Sequence, residues 1–410
     1  MRYVIIGNST AAAGCVEGIR EIDNKGSITI ISDEPYHMYS RPLISYLLQG
    51  KTDEQRMKYR PDSFYSDNKC TAQFGKKAVK IDTIACQVLL ESGESVIYDK
   101  LLVAAGSSPF VPPMKGLETV SNHFSFMTLD NAIALDTVLG KDKRILIIGG
   151  GLIGLKCAEG ITKRVNSVTV IDLAPSILSS ILDSEGAALV QKHLETHGIE
   201  FKLGTSVKEF RGNAALLTSG EELSFDILVT AVGVRPNTAL VKDAGGLVNK
   251  GINVNSKMET TLENIFAAGD CTECHDISSD TDRVLALLPN AYYGGHVAGI
   301  NMAGGSMVYN KAIPMNAIGF FGMHIITAGN YDGEKYEEHS SESLKKLFYK
   351  NDLLKGYIMI GDVNKAGIYT SLIRERTPLS SIDSALIFKQ PGLAAFSRKF
   401  RDEKLGGVKS

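Results

Sequence analysis

Three glycines, Gly149, Gly151 and Gly154, follow the apolar run Arg144-Ile-Leu-Ile-Ile148 and open a stretch of helical pattern. In that setting one glycine makes the turn, one lets the main chain approach a diphosphate, and one lets the helix close on the strand. The helix N-terminus adds partial positive charge. Leu152 and Ile153 complete this loop, and Asp172 follows at the end of a second strand, Val168-Thr-Val-Ile171. A carboxylate there accepts hydrogen bonds from both ribose hydroxyls and repels a 2′-phosphate. No arginine or lysine occurs between Leu173 and Ser180, so the pattern predicts NADH over NADPH. The competing reading is a glycine-rich turn capped by the acid.

A second loop earlier in the chain has Gly7, Ser9 and Ala12 at the corresponding places. Serine at the close-approach position either hydrogen-bonds a phosphate or pushes it outward. Two other constellations carry less chemistry. Cys271-Thr-Glu-Cys274-His275 matches a haem-attachment spacing, but covalent haem belongs outside the cytosol; coincidence and a redox-active cysteine pair are the readings left. His193 and His197 are spaced i and i+4 with no following acid or cysteine, so they read as a surface pair rather than metal ligands.

The elements that must position these residues form a repeat. Tyr3-Val-Ile-Ile6, Gly7, an alanine-rich stretch, Ile28-Thr-Ile-Ile31, Asp33-Glu34 and Asp99 to Gly106-Ser-Ser-Pro109 match the order of Arg144–Ile148, Gly149–Gly154, Val168–Ile171, Asp172 and Asp226 to Gly233-Val-Arg-Pro236. Short continuous β-branched runs suit strands buried on both faces of a parallel sheet, so an α/β fold with two Rossmann-like doubly wound dinucleotide-binding domains is expected. Farther on, a helix is expected from about Asn290 to Met302. Beyond residue 312, Ala317–Ile326, Leu344–Phe348 and Tyr357–Ile360 read as strands, with a hairpin turn at Asn351-Asp352. Asn364 reads as the cap of a helix ending near Arg376. Together these make a small C-terminal α+β domain.

Composition excludes several classes of function. Lysine plus arginine is 44 against 46 acidic residues, a net charge of −2, so no single-sign field gathers nucleic acid or an anionic membrane. No apolar run approaches the roughly 18 residues of a membrane helix. The N-terminal apolar run ends at Gly7, short of a secretory core of roughly 7–15 residues, which predicts a cytoplasmic protein with reduced thiols. The glycine count, 40 in 410 residues, is above the usual ~7% and points to many tight turns. The chain from Lys389 carries six basic and two acidic residues, a basic tail.

Asp33-Glu34-Pro35, Tyr39-Ser-Arg-Pro-Leu-Ile-Ser45, the two Asp…Gly-x-x-Pro segments, Phe266-Ala-Ala-Gly-Asp270, and Gly361-Asp-Val363 with Ala366-Gly367 together resemble the flavoprotein reductases with two dinucleotide-binding domains. The resemblance is strongest to NADH:rubredoxin reductases and to the N-terminal half of the nitrite reductase large subunit. It implies an FAD domain (1–112 and 245–311) into which an NAD(H) domain (113–244) is inserted, a C-terminal interface domain (312–385) and the tail (386–410). It also implies that Asp33 and Glu34 face the adenosine ribose, Arg41 the phosphate or adenine side, and Asp270 the ribityl chain. Gly106 turns past the cofactor, and the helix opened by Pro289-Asn290-Ala291 points at the flavin pyrimidine edge. Pro42, Val79 and Ala105 are further FAD positions, and Gly233 belongs to the NAD side.

Hydride transfer from nicotinamide to flavin needs no side-chain acid or base. Lys156 stands where many relatives have glutamate, as a cation beside the nicotinamide pocket or an ordinary ion-paired helix lysine. Tyr46 and Phe110 depart from the oxygenase-coupled ferredoxin reductases. Residues 33–50 hold no cysteine, against a disulfide or peroxide substrate. That leaves a protein redox partner, a quinone or dye, or oxygen, and the resemblance implies electron delivery to a small iron-sulfur protein, rubredoxin or ferredoxin, which the basic tail could dock. An NADH oxidase or diaphorase, and a non-catalytic subunit of a larger redox complex, are the alternatives; a homo-oligomer is compatible with each.

Overall fold

The computed structural model describes residues 1–405 and divides into two compact units. The first comprises Met1–Ser180, Gln191–Cys274 and Asp282–Asn310; the second comprises Ile181–Val190, His275–Thr281 and the chain from Lys311.

Two five-stranded parallel sheets build the first unit. One has the order Ile265–Ala267, Lys100–Val103, Arg2–Ile6, Ser27–Ser32, Cys70–Phe74; the other has Ile199–Leu203, Ser167–Asp172, Arg144–Ile148, Ile227–Thr230, His123–Ser125. The central strands are the β-branched runs of the repeat. Ile5 pairs with Ile30 and Leu102, Ile147 with Val170 and Val229, and all six side chains are fully buried. Such strands bury both faces, which is why their sequences are continuous rather than alternating.

Each sheet carries a three-stranded antiparallel appendage not anticipated from the sequence: Ala78–Asp82, Gln87–Leu90 and Ser95–Ile97 in one case, Val207–Arg211, Ala214–Leu217 and Glu222–Ser224 in the other. The two Gly-x-x-Pro segments pair with each other. Ser107–Pro109 and Val234–Pro236 form an antiparallel ribbon in which Ser108 faces Arg235.

The second unit centres on a five-stranded antiparallel sheet ordered Met315–Phe320, Met323–Gly329, Leu353–Ile360, Leu344–Lys350, Glu334–His339. The turn at Asn351 and Asp352 has φ of 53° and 62°, as a two-residue hairpin requires. Two expectations are corrected here. The run 317–326 is two strands, because Phe321 (φ 47°) and Gly322 (φ 91°) reverse the chain. The helix Ala366–Arg374 is preceded by Lys365 in the left-handed region, not capped by Asn364, whose N–H is taken by Asp362. Beyond residue 386, Ile387, Ala395 and Phe396 join the core of Tyr357, Tyr369 and Leu372. Apolar side chains interleaved with the charges carry that segment inward.

Candidate functional site

The first loop leaves the strand Arg2–Ile6 at Gly7, whose N–H donates to the Ile31 carbonyl at 2.8 Å. Its φ is +109°, and a Cβ would stand 2.1 Å from the Ala104 carbonyl oxygen. Gly149 reproduces this with φ +115°, an N–H···O bond of 2.8 Å to Ile171, and a Cβ position 2.2 Å from the Ala231 oxygen. Main chain lies too close in both places for any side chain.

The other glycines of the second loop divide by task. A Cβ on Gly154 would meet the Gly149 oxygen at 2.0 Å, so this glycine lets the helix Leu152–Ile161 close on the turn. Ala12, fully buried, takes the matching place in the helix Thr10–Ile22. At Gly151, by contrast, φ is −83° and a Cβ would meet nothing within 4 Å. The protein's own packing does not require glycine there. The vacant space lies at a helix N-terminus with Leu152 and Ile153 half-buried beside it, which fits a diphosphate. Ser9 holds the corresponding position in the first loop, in extended conformation (φ −134°), and its hydroxyl makes no capping bond.

The acids at the strand ends behave differently. Asp172 accepts from the Gly150 N–H at 2.6 Å and the Ala174 N–H at 2.8 Å, so the carboxylate holds its own loop. Two carboxylate oxygens offer about four acceptor sites, which leaves capacity for ribose hydroxyls. Asp33 is exposed and accepts only from the Glu34 N–H. Glu34 is engaged by the Tyr39 hydroxyl at 3.0 Å and by Arg41 at 3.3 Å. Arg41 and the exposed Pro42 open a short 3-10 turn. Val79 is the extra residue of a bulge between Ala78 and Lys80, 42% exposed, with its main chain outside the ladder.

Gly106 (φ +65°) and Gly233 (φ +127°) turn the chain at the ends of the ribbon, both with open space where a Cβ would be. Asn237, not singled out in the sequence, locks the first turn. Its side chain donates to the Ala105 carbonyl at 2.8 Å and its N–H to the Gly106 carbonyl at 2.9 Å.

Three separated segments meet at Gly269. Its φ is +87°, and a Cβ there would lie 3.3 Å from the Ala11 Cβ and 3.7 Å from the Ala291 Cβ. The meeting is enforced by two parallel helices, Thr10–Ile22 and Leu288–Met302, at backbone contact. Cβ atoms on Gly14, Gly18, Gly295 and Gly299 would stand 2.0–2.3 Å from carbonyl oxygens of the facing helix. The spacing of Gly14 with Gly18 and of Gly295 with Gly299, i and i+4, was the available signal. Both helix N-termini consequently lie at one end, beside Asp270. Burial raises the Asp270 pKa; the Arg41 charge and the Ser107 hydroxyl, 3.3 Å away, oppose it. A carboxylate so poorly supplied with donors fits a polyhydroxyl chain such as ribityl. Asn290 is buried within the first turn and takes the Tyr309 hydroxyl at 2.8 Å, while Leu287 is the helix cap.

Lys156 pairs with Glu159 and lies over the Tyr46 ring, 4.7 Å from its centroid. All six cysteines, Cys271 and Cys274 among them, are free thiols, and burial pushes the Cys271 thiol pKa up to about 12. The His193 and His197 rings lie 4.6 Å apart, with His197 beyond the helix that ends at Glu195.

Two linked parallel sheets, each with a glycine turn at a helix N-terminus and a strand-end acid, define a protein of the dinucleotide-binding class with two nucleotide cradles. Residues 1–295 match the pyridine nucleotide-disulphide oxidoreductase family, and residues 314–377 match the rubredoxin NAD+ reductase C-terminal domain. The chain belongs to the pyridine nucleotide-disulphide oxidoreductases, and is an FAD-dependent oxidoreductase that uses NADH. It is 31% identical over 401 residues to the epsilon subunit of the NADH-dependent phenylglyoxylate dehydrogenase of Aromatoleum evansii, covering 94% of each chain. It is 30% identical to the assimilatory nitrate reductase electron transfer subunit of Bacillus subtilis, covering 92% of this chain but only 49% of that one. The putidaredoxin reductase–putidaredoxin complex contains the same fold, with TM-score 0.88 at 22% identity over 100% of this chain and 99% of that one. No helix among the described residues is long and apolar enough to cross a membrane.

Proposed function

We propose that the protein is a cytoplasmic NADH:acceptor reductase that passes electrons from NADH through FAD to a small iron-sulfur protein of rubredoxin or ferredoxin type. The observation that carries this reading is the meeting of Ala11, Gly269 and Ala291, which brings the first diphosphate loop, Asp270 and the Asn290 helix to one place. When bound, FAD supplies a centre that takes two electrons as hydride and releases them singly.

The chain's own residues bind and orient. The first loop, with Ser9, holds the FAD diphosphate; Glu34 and Arg41 bracket the adenosine end; Asp270 accepts from the ribityl hydroxyls. The N-terminus of the Leu288–Met302 helix would supply positive potential toward the pyrimidine edge of a bound flavin. The second loop holds the NADH diphosphate, and Asp172 takes the ribose. The domains follow the same division, 1–112 with 245–311 for FAD and 113–244 for NADH, and these site assignments are part of the proposal. The match of residues 314–377 to the rubredoxin reductase C-terminal domain favours an iron-sulfur acceptor. The rubredoxin-NAD(+) reductase of Pseudomonas putida, 29% identical over 75% of this chain, favours the same acceptor.

A second reading has one observation in its favour. A relative matched along 94% of both chains is a subunit of a larger dehydrogenase, so the acceptor can be a cluster in a fixed partner rather than a diffusing protein. Purification separates these readings from a non-catalytic role. Yellow protein that bleaches anaerobically with NADH is the expected result, and colourless protein that takes up no added FAD would defeat the proposal. Co-purification with a cluster-bearing subunit would select the second reading.

A further inference from the structure

The two diphosphate loops are tethered by opposite chemistry. In the second loop the strand-end acid reaches back, and Asp172 accepts from the Gly150 N–H at 2.6 Å. In the first loop the residue in Gly150's place is Asn8, and the loop reaches outward with its side chain. Asn8 Nδ2 donates to the Tyr36 carbonyl at 3.1 Å, and Asn8 Oδ1 accepts from the Tyr65 hydroxyl at 2.8 Å. The Tyr65 oxygen in turn accepts from the Met38 N–H at 3.1 Å. The Tyr65 ring cannot swing, because it is boxed edge-on by His37 at 4.9 Å, Phe74 at 5.4 Å and Phe64 at 5.5 Å. Its pKa is raised, burial being the main cause, so the phenol stays a donor at neutral pH.

We propose that Asn8, clamped by Tyr36 and Tyr65, is the positioning residue of the first diphosphate loop, and that the clamp presents the uncommitted Ser9 hydroxyl as a side-chain donor to the FAD diphosphate. The inference rests on the reading above that FAD binds this loop. Three features support it. Asn8 and Ser9 are adjacent, so holding Asn8 restrains the main chain from which the Ser9 side chain projects. The clamp joins the loop to residues 36–38, which follow Glu34, so both ends of the adenosine site share one frame. The strand-end acids of this half leave the loop alone, since Asp33 bonds its neighbour and Glu34 bonds Tyr39 and Arg41. Where the close-approach glycine is absent, a hydroxyl in fixed register replaces the lost main-chain approach with a donor of its own.

The test titrates FAD into apoprotein and follows flavin fluorescence, with 31P NMR of the bound diphosphate and NADH affinity measured beside it. Losing one neutral hydrogen bond costs about fivefold in affinity, so Tyr65→Phe is expected to weaken FAD about fivefold and Asn8→Ala about tenfold. The double variant should fall within about twofold of Asn8→Ala, because Tyr65 acts through Asn8. NADH affinity should hold throughout. The 31P resonances should move in Asn8→Ala and Ser9→Ala but not in Ile19→Val, a core change that lowers stability without touching the loop. Losses that multiply in the double variant, or 31P resonances that stay put, would overturn the clamp. If Asn8→Ala does not fold, Tyr65→Phe, which deletes one oxygen, decides alone. Failure of the wild-type apoprotein to take FAD would defeat the functional reading; wild-type binding matched by every variant would defeat only this inference.

Discussion

Gly151→Ala separates a glycine kept for a ligand from one kept for the fold. The added methyl meets nothing within 4 Å, and φ of −83° suits alanine, so the folded protein loses no contact. Gly-to-Ala at a compatible site stabilises by about 0.4–1 kcal/mol through the unfolded chain, offset by about 0.5–1 kcal/mol for placing alanine at a helix N-cap. The thermal midpoint should therefore stay within about 2 °C of wild type. The nucleotide experiences the methyl instead. Displacing the diphosphate from the helix N-terminus loses one or two charge-assisted hydrogen bonds of about 1.5–3 kcal/mol each, so the NADH dissociation constant should rise at least about tenfold. Gly154→Ala is the counterpart, with its Cβ 2.0 Å from the Gly149 oxygen, where the backbone itself must move. It should lower the midpoint by several degrees as well as weaken NADH. Calorimetry and NADH titration on both proteins make the comparison. A Gly151→Ala protein that melts early while binding NADH normally would refute the division of tasks.

Gly295→Ala places a methyl 2.0 Å from the Ala11 oxygen and should cost about 1–3 kcal/mol, with weakened FAD because the Ala11–Gly269–Ala291 junction opens; thermal melts and flavin titration check both. Asp172→Arg should shift preference toward NADPH in steady-state kinetics, at some loss of stability because the Gly150 and Ala174 N–H groups lose their acceptor; an unchanged preference removes Asp172 from the ribose role. Asp270 has a raised folded pKa, so the native apoprotein holds its proton more tightly than the unfolded chain and loses stability as pH rises from the ordinary carboxylate range to the folded value. Asp270→Asn apoprotein should accordingly melt higher than wild type at pH 8, and the gap should close below about pH 3, where both states are protonated.

The repeat was legible because it rests on features local in sequence: β-branched runs, glycines at strand ends, and an acid after the next strand. Gly7, Gly149 and Gly154 could be placed without coordinates because their roles follow from the turn itself. What escaped depends on partners distant in the chain. The contact of Gly14 and Gly18 with the helix Leu288–Met302 was invisible as a contact, although both glycine pairs stood in the text, because spacing alone does not name the facing helix. The antiparallel appendages were missed because their strands are short and half-exposed, as in Ser95–Ile97. The helix expected from about Asn290 begins at Leu288, and Asn290 is buried in its first turn and bonded by Tyr309, a partner that spacing alone does not name. Asp172 holds its own loop, a role its type permitted but its position could not decide.

The central claim is that NADH reduces FAD in this chain and that the electrons leave for an iron-sulfur acceptor. Anaerobic stopped-flow mixing with NADH, followed by rubredoxin, ferredoxin or oxygen in separate second mixes, tests it directly. The flavin absorption should bleach with NADH and return faster with one of the iron-sulfur proteins than with oxygen. Return fastest with oxygen, or a flavin that NADH leaves oxidised, would contradict the account.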